Sequence, residues 1–214
     1  MQITAVIPAY NEGGTVGQVV TQVKRHRLID EIIVVSDGST DDTASKATEA
    51  GAKVIEFDQN RGKGAAMQVG IENNNSNIIL FLDADLLGLT VEHIDQLLLP
   101  IINQQAEMTI GVFADGRMVT DLAQKIAPFL SGQRAVKQSV LDGISDLNMT
   151  KFGVEVALTQ YIKKHDIKIK EVELHDLSHV LKEEKLGVVE GFKARLRMYW
   201  DIAKNFSWFK NKIK

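Results

Sequence analysis

The sequence predicts an α/β protein with a mostly parallel central sheet flanked by helices, and three observations carry that expectation. Short β-rich apolar runs alternate with stretches of helical period over the first half of the chain. Strands separated by helices of about ten residues or more need crossover connections, which makes them parallel neighbours. The run Ile78–Leu82 is continuously apolar, as a strand covered on both faces requires. Finally, the apolar runs end in polar clusters, the arrangement of an open sheet whose carboxyl edge holds a ligand.

Taken in order, "ITAVIP" reads as the first strand, followed after "AYNEGG" by a helix near Thr15–His26 with Val16, Val19, Val20 and Val23 on one face. "EIIVVSD" is the second strand. Ser39, Thr40 and Asp41 supply a capping signal for a helix that closes at Gly51. "KVIEF" is a third strand, "GKGAAMQVGIENN" a third helix and "NIILFLDAD" a fourth strand. A helix over Val91–Gln105 and a fifth strand, "AEMTIGVF", complete the alternation. Beyond Ala114 the pattern turns to helices at Met118–Phe129, Val136–Asp142 and Phe152–His165, then one strand, "KIKEVEL", and a long amphipathic helix from about Val188. The expected organisation is one domain: a nucleotide-binding-type α/β half over 1–114, a helical substrate half over 115–190 and a basic amphipathic helix over 191–214.

Composition agrees with a soluble globular chain. Of 214 residues, 44% are apolar and 25% charged, and there is no cysteine, which excludes disulfides and thiolate metal sites. The amino terminus lacks the basic and apolar regions of a signal peptide, and no uninterrupted apolar window approaches the length of a membrane span. The net charge of −3 conceals an asymmetry. Residues 193–214 carry seven Lys/Arg and one Asp, so the preceding residues hold the balance of about −9. So short and local a basic segment does not indicate nucleic-acid binding.

Three strand ends outline a site: Pro8-Ala9-Tyr10-Asn11-Glu12, Ser36-Asp37-Gly38-Ser39 and Asp83-Ala84-Asp85. Singly, Asp37-Gly38-Ser39 also reads as a turn with a helix cap, and Arg61-Gly62-Lys63-Gly64 as a glycine-rich turn with a solvated lysine. The latter lacks the spacing of a Walker A loop. Asp83 and Asp85 are the most informative. An ionised carboxylate at the end of a buried strand needs a cationic partner, and residues i and i+2 of an extended chain face the same way. Two hard oxygen ligands suit Mg²⁺ or Mn²⁺ bridging to a diphosphate.

"AVIPAYNEGGTVGQVV", "EIIVVSDGSTDDT", "NRGKGAAMQVGI" and "FLDAD" together resemble the family-2 glycosyltransferases of GT-A fold, in order and spacing. Within that family the chain looks most like the dolichol-phosphate mannose synthases and other polyprenyl-phosphate glycosyltransferases, through "SGQRAV", "FGVEVAL" and "EEKLG". It is also similar to the glucosyl-3-phosphoglycerate synthases, which share the glycine-valine-glutamate element and place a histidine on the metal near the position of His179. The resemblance implies a nucleotide-sugar donor lined by Pro8, Ala9, Tyr10, Asn11, Glu12, Asp37, Lys63, Asp83 and Ala84. It implies Asp85 as a direct ligand of Mg²⁺ or Mn²⁺, with Asp83 and His179 as further ligands. Ser131, Gly132, Gln133, Arg134 and Lys185 would face the acceptor. Arg134 would fork to phosphate oxygens, and Glu155 would orient a sugar or acceptor hydroxyl, so that Asp85, Glu155 and Arg134 form the catalytic set.

Two elements of hydroxyl-glycosylating members, a late acidic pair and Gln-x-x-Arg-Trp, are not evident. A hydroxyl nucleophile benefits from a general base, whereas a phosphate acceptor is already an anion. The expected reaction is therefore transfer of a hexose from a UDP-sugar, or from GDP-mannose, to a phosphorylated acceptor. Polyprenyl phosphate is the first expectation, with inversion, and a small phosphorylated acid the alternative, with retention. A cytoplasmic protein peripheral to the membrane is expected on the first reading. There Phe192, Leu196, Tyr199, Trp200 and Ala203, interleaved with Lys193, Arg195, Arg197 and Lys204, would lie on anionic lipid. The same helix would equally dock on the core or form a homodimer contact. Rival classes are a sugar-phosphate nucleotidyltransferase, whose glycine-rich, arginine-bearing loop "PAYNEGG" does not match, a phosphatase using Asp-x-Asp, and a non-catalytic nucleotide-sugar sensor.

Overall fold

The computed structural model describes residues 1–114, 132–144, 161–162 and 164–179. Close packing runs from Met1 to Ser178, and His179–Lys214 form a second unit, of which His179 alone is described.

The expected alternation is present. The order is β1 (Ile3–Ala9), α1 (Val16–Lys24), β2 (Glu31–Ser36), α2 (Thr43–Ala50), β3 (Lys53–Glu56), α3 (Lys63–Glu72), β4 (Ile78–Phe81), β5 (Leu86–Leu87), α4 (Val91–Ile102) and β6 (Met108–Phe113). Then follow β7 (Arg134–Lys137), α5 (Gln138–Asp142), β8 (Ile169–Leu174) and β9 (Ser178–His179). A seven-stranded sheet has the order β3-β2-β1-β4-β7-β6-β8, and β5 pairs with β9 separately. β1 runs parallel to β2 and β4, β2 to β3, and β6 to β8, while β7 is antiparallel to both β4 and β6.

Alternating side chains of the strands feed cores on both faces of the sheet. Ala5, Ile7, Val34 and Leu80 pack with Val16, Val19, Val20 and Val23 of α1 and with Ile94, Leu97, Leu98 and Ile101 of α4. Val6, Ile79 and Phe81 point the other way, onto Met67 and Ile71 of α3 and Val140 and Leu141 of α5. β4 is covered on both sides, which explains its unbroken apolar run. α3 can approach β1 closely because residue 70 is glycine; a Cβ there would overlap Cγ1 of Val6.

Four expectations need correction. Val136 and Lys137 are not helical: they belong to β7, and the helix begins at Gln138. β4 stops pairing at Phe81, so Asp83-Ala84-Asp85 lies beyond the strand, in the turn leading to β5. Gly51 does close α2 in the left-handed region, at φ 100°, but Asp42 is the residue at its N-cap, without a side-chain capping bond. The helix from Val91 ends at Ile102, not Gln105. The expected helix over Met118–Phe129, most of that over Phe152–His165 and the amphipathic helix over 191–214 lie outside the described residues. No described helix is long and apolar enough to cross a membrane.

Candidate functional site

The carboxyl ends of β1, β2 and β4 lie side by side in the sheet, and each is held in an irregular conformation by its own polar residues. After β1, Asn11 adopts a positive φ of 55°, a backbone region that asparagine tolerates better than most residues. Its amide donates to Ser39 Oγ at 3.1 Å, and its Oδ1 accepts the Thr40 amide at 2.8 Å. The next amide, of Glu12, donates to Thr43 Oγ1 at 2.8 Å, and that of Gly13 to Asp41 Oδ2 at 3.0 Å. The loop after β1 is thereby laced to the segment between β2 and α2. Tyr10, directly after β1, is about half exposed (48%), while Ala9 is buried and pairs with Ser36, and Pro8 pairs with Val35.

Asp41, read from the sequence only as part of a capping signal, and Thr43, not singled out there, organise this lacing. Burial pushes the Asp41 carboxyl up, but hydrogen bonds from the Thr43 hydroxyl and from the Gly13 and Thr43 amides outweigh it and hold the group below its ordinary value. The signal was present as the Ser-Thr-Asp-Asp-Thr run, which the capping rule assigned to the helix alone.

Asp37, at the end of β2, is buried, and both its oxygens are engaged. Oδ1 accepts the Arg61 amide at 2.6 Å and Oδ2 the Gly62 amide at 2.9 Å. It therefore fixes the loop that opens α3, whose first residue is Lys63. Gly38 must be glycine on two counts: its φ is 70°, and a Cβ would overlap the backbone at Gln59 and lie 2.5 Å from the Asn60 nitrogen.

Lys63 reaches across to the end of β4, where its Nζ lies 2.7 Å from Asp83 Oδ1. The other Asp83 oxygen accepts the Gln133 amide, Nε2 to Oδ2 at 2.9 Å. β7 explains this meeting: because it runs antiparallel to β4 with Arg134 opposite Phe81, the residues just before it fall beside those just after β4. Ala84 is buried, and Asp83, Asp85 and His179 are half-buried. One ligand atom from each of these last three lies within 4.8 Å of the others. Two carboxylates and an imidazole form a hard-to-borderline donor set that fits Mg²⁺ or Mn²⁺ with places left for water and phosphate.

The strand carrying His179 is preceded by a turn braced from α4. Thr90 and His93 make a reciprocal capping box at the start of that helix, and His93 Nε2 lies 2.8 Å from the His175 carbonyl oxygen. With Nδ1 accepting the Thr90 amide at 3.2 Å, Nε2 is the protonated nitrogen.

Of the remaining expected residues, Arg134 and Gln133 are fully buried on and beside β7, so Arg134 is part of the sheet's interior. Ser131, Glu155 and Lys185 lie outside the described residues, as does the segment 192–214.

Comparison with known proteins agrees with this geometry. The model of the Glycosyl transferase family 2 matches residues 4–157. Glucosyl-3-phosphoglycerate synthase of Mycolicibacterium smegmatis is 37% identical over 109 residues, covering 47% of this chain and 36% of that protein. Its counterpart from Mycobacterium tuberculosis is 30% identical over 168 residues, covering 67% of this chain and 51% of that protein. The chain thus spans about half or less of the length of these relatives. A solved structure of the Mycobacterium tuberculosis synthase in complex with Mn²⁺, uridine-diphosphate-glucose and phosphoglyceric acid superimposes with a TM-score of 0.71 at 27% identity, over 84% of this chain and 71% of that one.

Proposed function

The chain belongs to glycosyl transferase family 2, and from that premise we propose that it is a metal-dependent hexosyltransferase using a nucleoside-diphosphate sugar. The observation that carries this reading is the meeting of Asp83, Asp85 and His179 donor atoms at the end of β4. The ammonium of Lys63 stands beside them.

In this reading Asp85 and His179, with Asp83, hold Mg²⁺ or Mn²⁺, and the cation supplies charge neutralisation for the departing diphosphate. The chain's own groups do the rest. Lys63 offers a second positive charge at the same end of the sheet. Asp37 sets that lysine's position through the Arg61 and Gly62 amides. The Tyr10 ring at the end of β1 offers an exposed face beside the nucleoside, with Asn11 and Glu12 next to it in the laced loop. Pro8, Ala9 and Ala84 complete the donor side.

For the acceptor, the first expectation from sequence was polyprenyl phosphate. The similarity to two glucosyl-3-phosphoglycerate synthases, and to one of them holding phosphoglyceric acid, favours the alternative, a small phosphorylated acid. By the motif resemblance Ser131 and Lys185 are assigned to the acceptor side and Glu155 to orienting a sugar or acceptor hydroxyl, whereas Arg134 lies buried in the sheet. UDP-glucose is the donor this reading selects.

The test is UDP release from UDP-glucose with Mn²⁺ in the presence of either 3-phosphoglycerate or a short-chain polyprenyl phosphate. Turnover with 3-phosphoglycerate, giving a product of retained anomeric configuration, is expected. Turnover with polyprenyl phosphate alone, with inversion, overturns the acceptor assignment. UDP binding without hydrolysis or transfer to either acceptor makes the chain a nucleotide-sugar sensor.

A further inference from the structure

The Gly132-Gln133 pair resembles an acceptor segment in sequence, yet its geometry faces elsewhere. Gln133 is fully buried, and its amide nitrogen donates to Asp83 Oδ2 at 2.9 Å. Its backbone is held as firmly as its side chain: its carbonyl accepts the Gly111 amide at 2.8 Å, and residue 111 is glycine where a Cβ would come 3.2 Å from the Gln133 Cβ. Gly132 contributes by what it lacks. A Cβ there would overlap the Asp83 carboxylate at all three of its outer atoms, so the carboxylate rests directly against the Gly132 backbone. With Lys63 on Oδ1 at 2.7 Å, the Gln133 amide on Oδ2 and the Gly132 backbone beneath, the Asp83 carboxylate is held on several sides.

We propose that Gln133 is a positioning residue that orients Asp83 for the divalent cation, and that Gly132 is the floor this orientation needs. The inference rests on the proposed metal site. A neutral amide suits this role, because it fixes one oxygen by a hydrogen bond without adding a second full positive charge beside the incoming cation. Groups that orient a metal ligand from behind typically alter metal affinity by about 10- to 100-fold when removed.

Mn²⁺ affinity tests this, read by the paramagnetic resonance signal of free Mn²⁺ in wild type, Gln133→Met, Asp83→Ala and the double variant, each checked by circular dichroism. Methionine keeps the volume of the buried side chain while removing the donor. Gln133→Met is expected to weaken Mn²⁺ by about 10-fold. It should cause no further loss once Asp83 is alanine, because its effect passes through that carboxylate. Unchanged affinity in Gln133→Met, or an equal loss in the Asp83→Ala background, overturns the inference while leaving the metal site standing. A wild-type protein that binds no Mn²⁺ overturns the metal-site reading and this inference with it. Should Gln133→Met fail to fold, Gly132→Ala displaces the same carboxylate from its floor and must weaken Mn²⁺ comparably; wild-type affinity there overturns the proposal.

Discussion

Replacing Asp37 by alanine should cost stability first and nucleotide affinity second. The residue is 3% exposed, and its carboxylate accepts two backbone amides, Arg61 at 2.6 Å and Gly62 at 2.9 Å. A hydrogen bond to a charged group is worth about 1.5–3 kcal/mol, and a buried donor left without its acceptor costs about 1–3 kcal/mol. The Gly62 bond is buried, so its loss sits near the middle of that range, about 2 kcal/mol. Water can replace part of the bond to the exposed Arg61, which leaves about 1 kcal/mol there. Asp37→Ala should therefore lower the unfolding free energy by about 3 kcal/mol, measured by urea titration with circular dichroism at neutral pH. Asp37→Asn should recover less than half of this, because its NH₂ group must face one of the two N–H donors. A loss below about 1 kcal/mol in Asp37→Ala would show that the loop opening α3 is held by other contacts. Since Lys63 begins that helix, the surviving folded fraction should also bind UDP more weakly.

Two further outcomes follow from the same structure. Gly70→Ala should destabilise by about 1–3 kcal/mol through overpacking against Val6, and Val6→Ala in the same chain should restore part of the loss in a thermal melt. Asp41 titrates below its ordinary value when folded. Its hydrogen bonds therefore add stability above the usual carboxylate range, and this is lost as pH falls through the depressed folded value. Asp41→Asn should show a shallower loss of stability on acidification in urea titrations at successive pH values, and an unchanged slope would contradict the assignment.

How far the sequence could be read depended on how local each signal was. β1, β2, β4 and β6 were legible because each is an apolar run set off by helices, while β3 and β8 showed only short runs of β-branched residues between charges. β7 was not, for three reasons. It is four residues long, it begins and ends in a cation, and its pairing with β4 and β6 is antiparallel between segments far apart in the chain. Missing it also misplaced Gln133, whose position beside Asp83 follows from that antiparallel register. β5 and β9 have two residues each, too few for any period. Asp83 and Asp85 were correctly brought together, though through a turn and not as alternate residues of a strand. For Asp37 the sequence could show a turn and a site but not which donors its oxygens meet, because Arg61 and Gly62 lie 24 and 25 residues away. Gly132 shows the same limit: its missing Cβ matters only once Asp83 is seen against it.

The central claim is that Asp83, Asp85 and His179 hold a divalent cation for a nucleoside diphosphate. The most direct measurement is calorimetric titration of UDP, with GDP as comparison, into metal-stripped protein with and without Mn²⁺, repeated on Asp85→Ala. UDP binding that appears with Mn²⁺ and is lost in Asp85→Ala, while the fold is unchanged by circular dichroism, is the predicted result. UDP binding of equal strength with and without Mn²⁺, or in Asp85→Ala as in the wild type, would contradict the account.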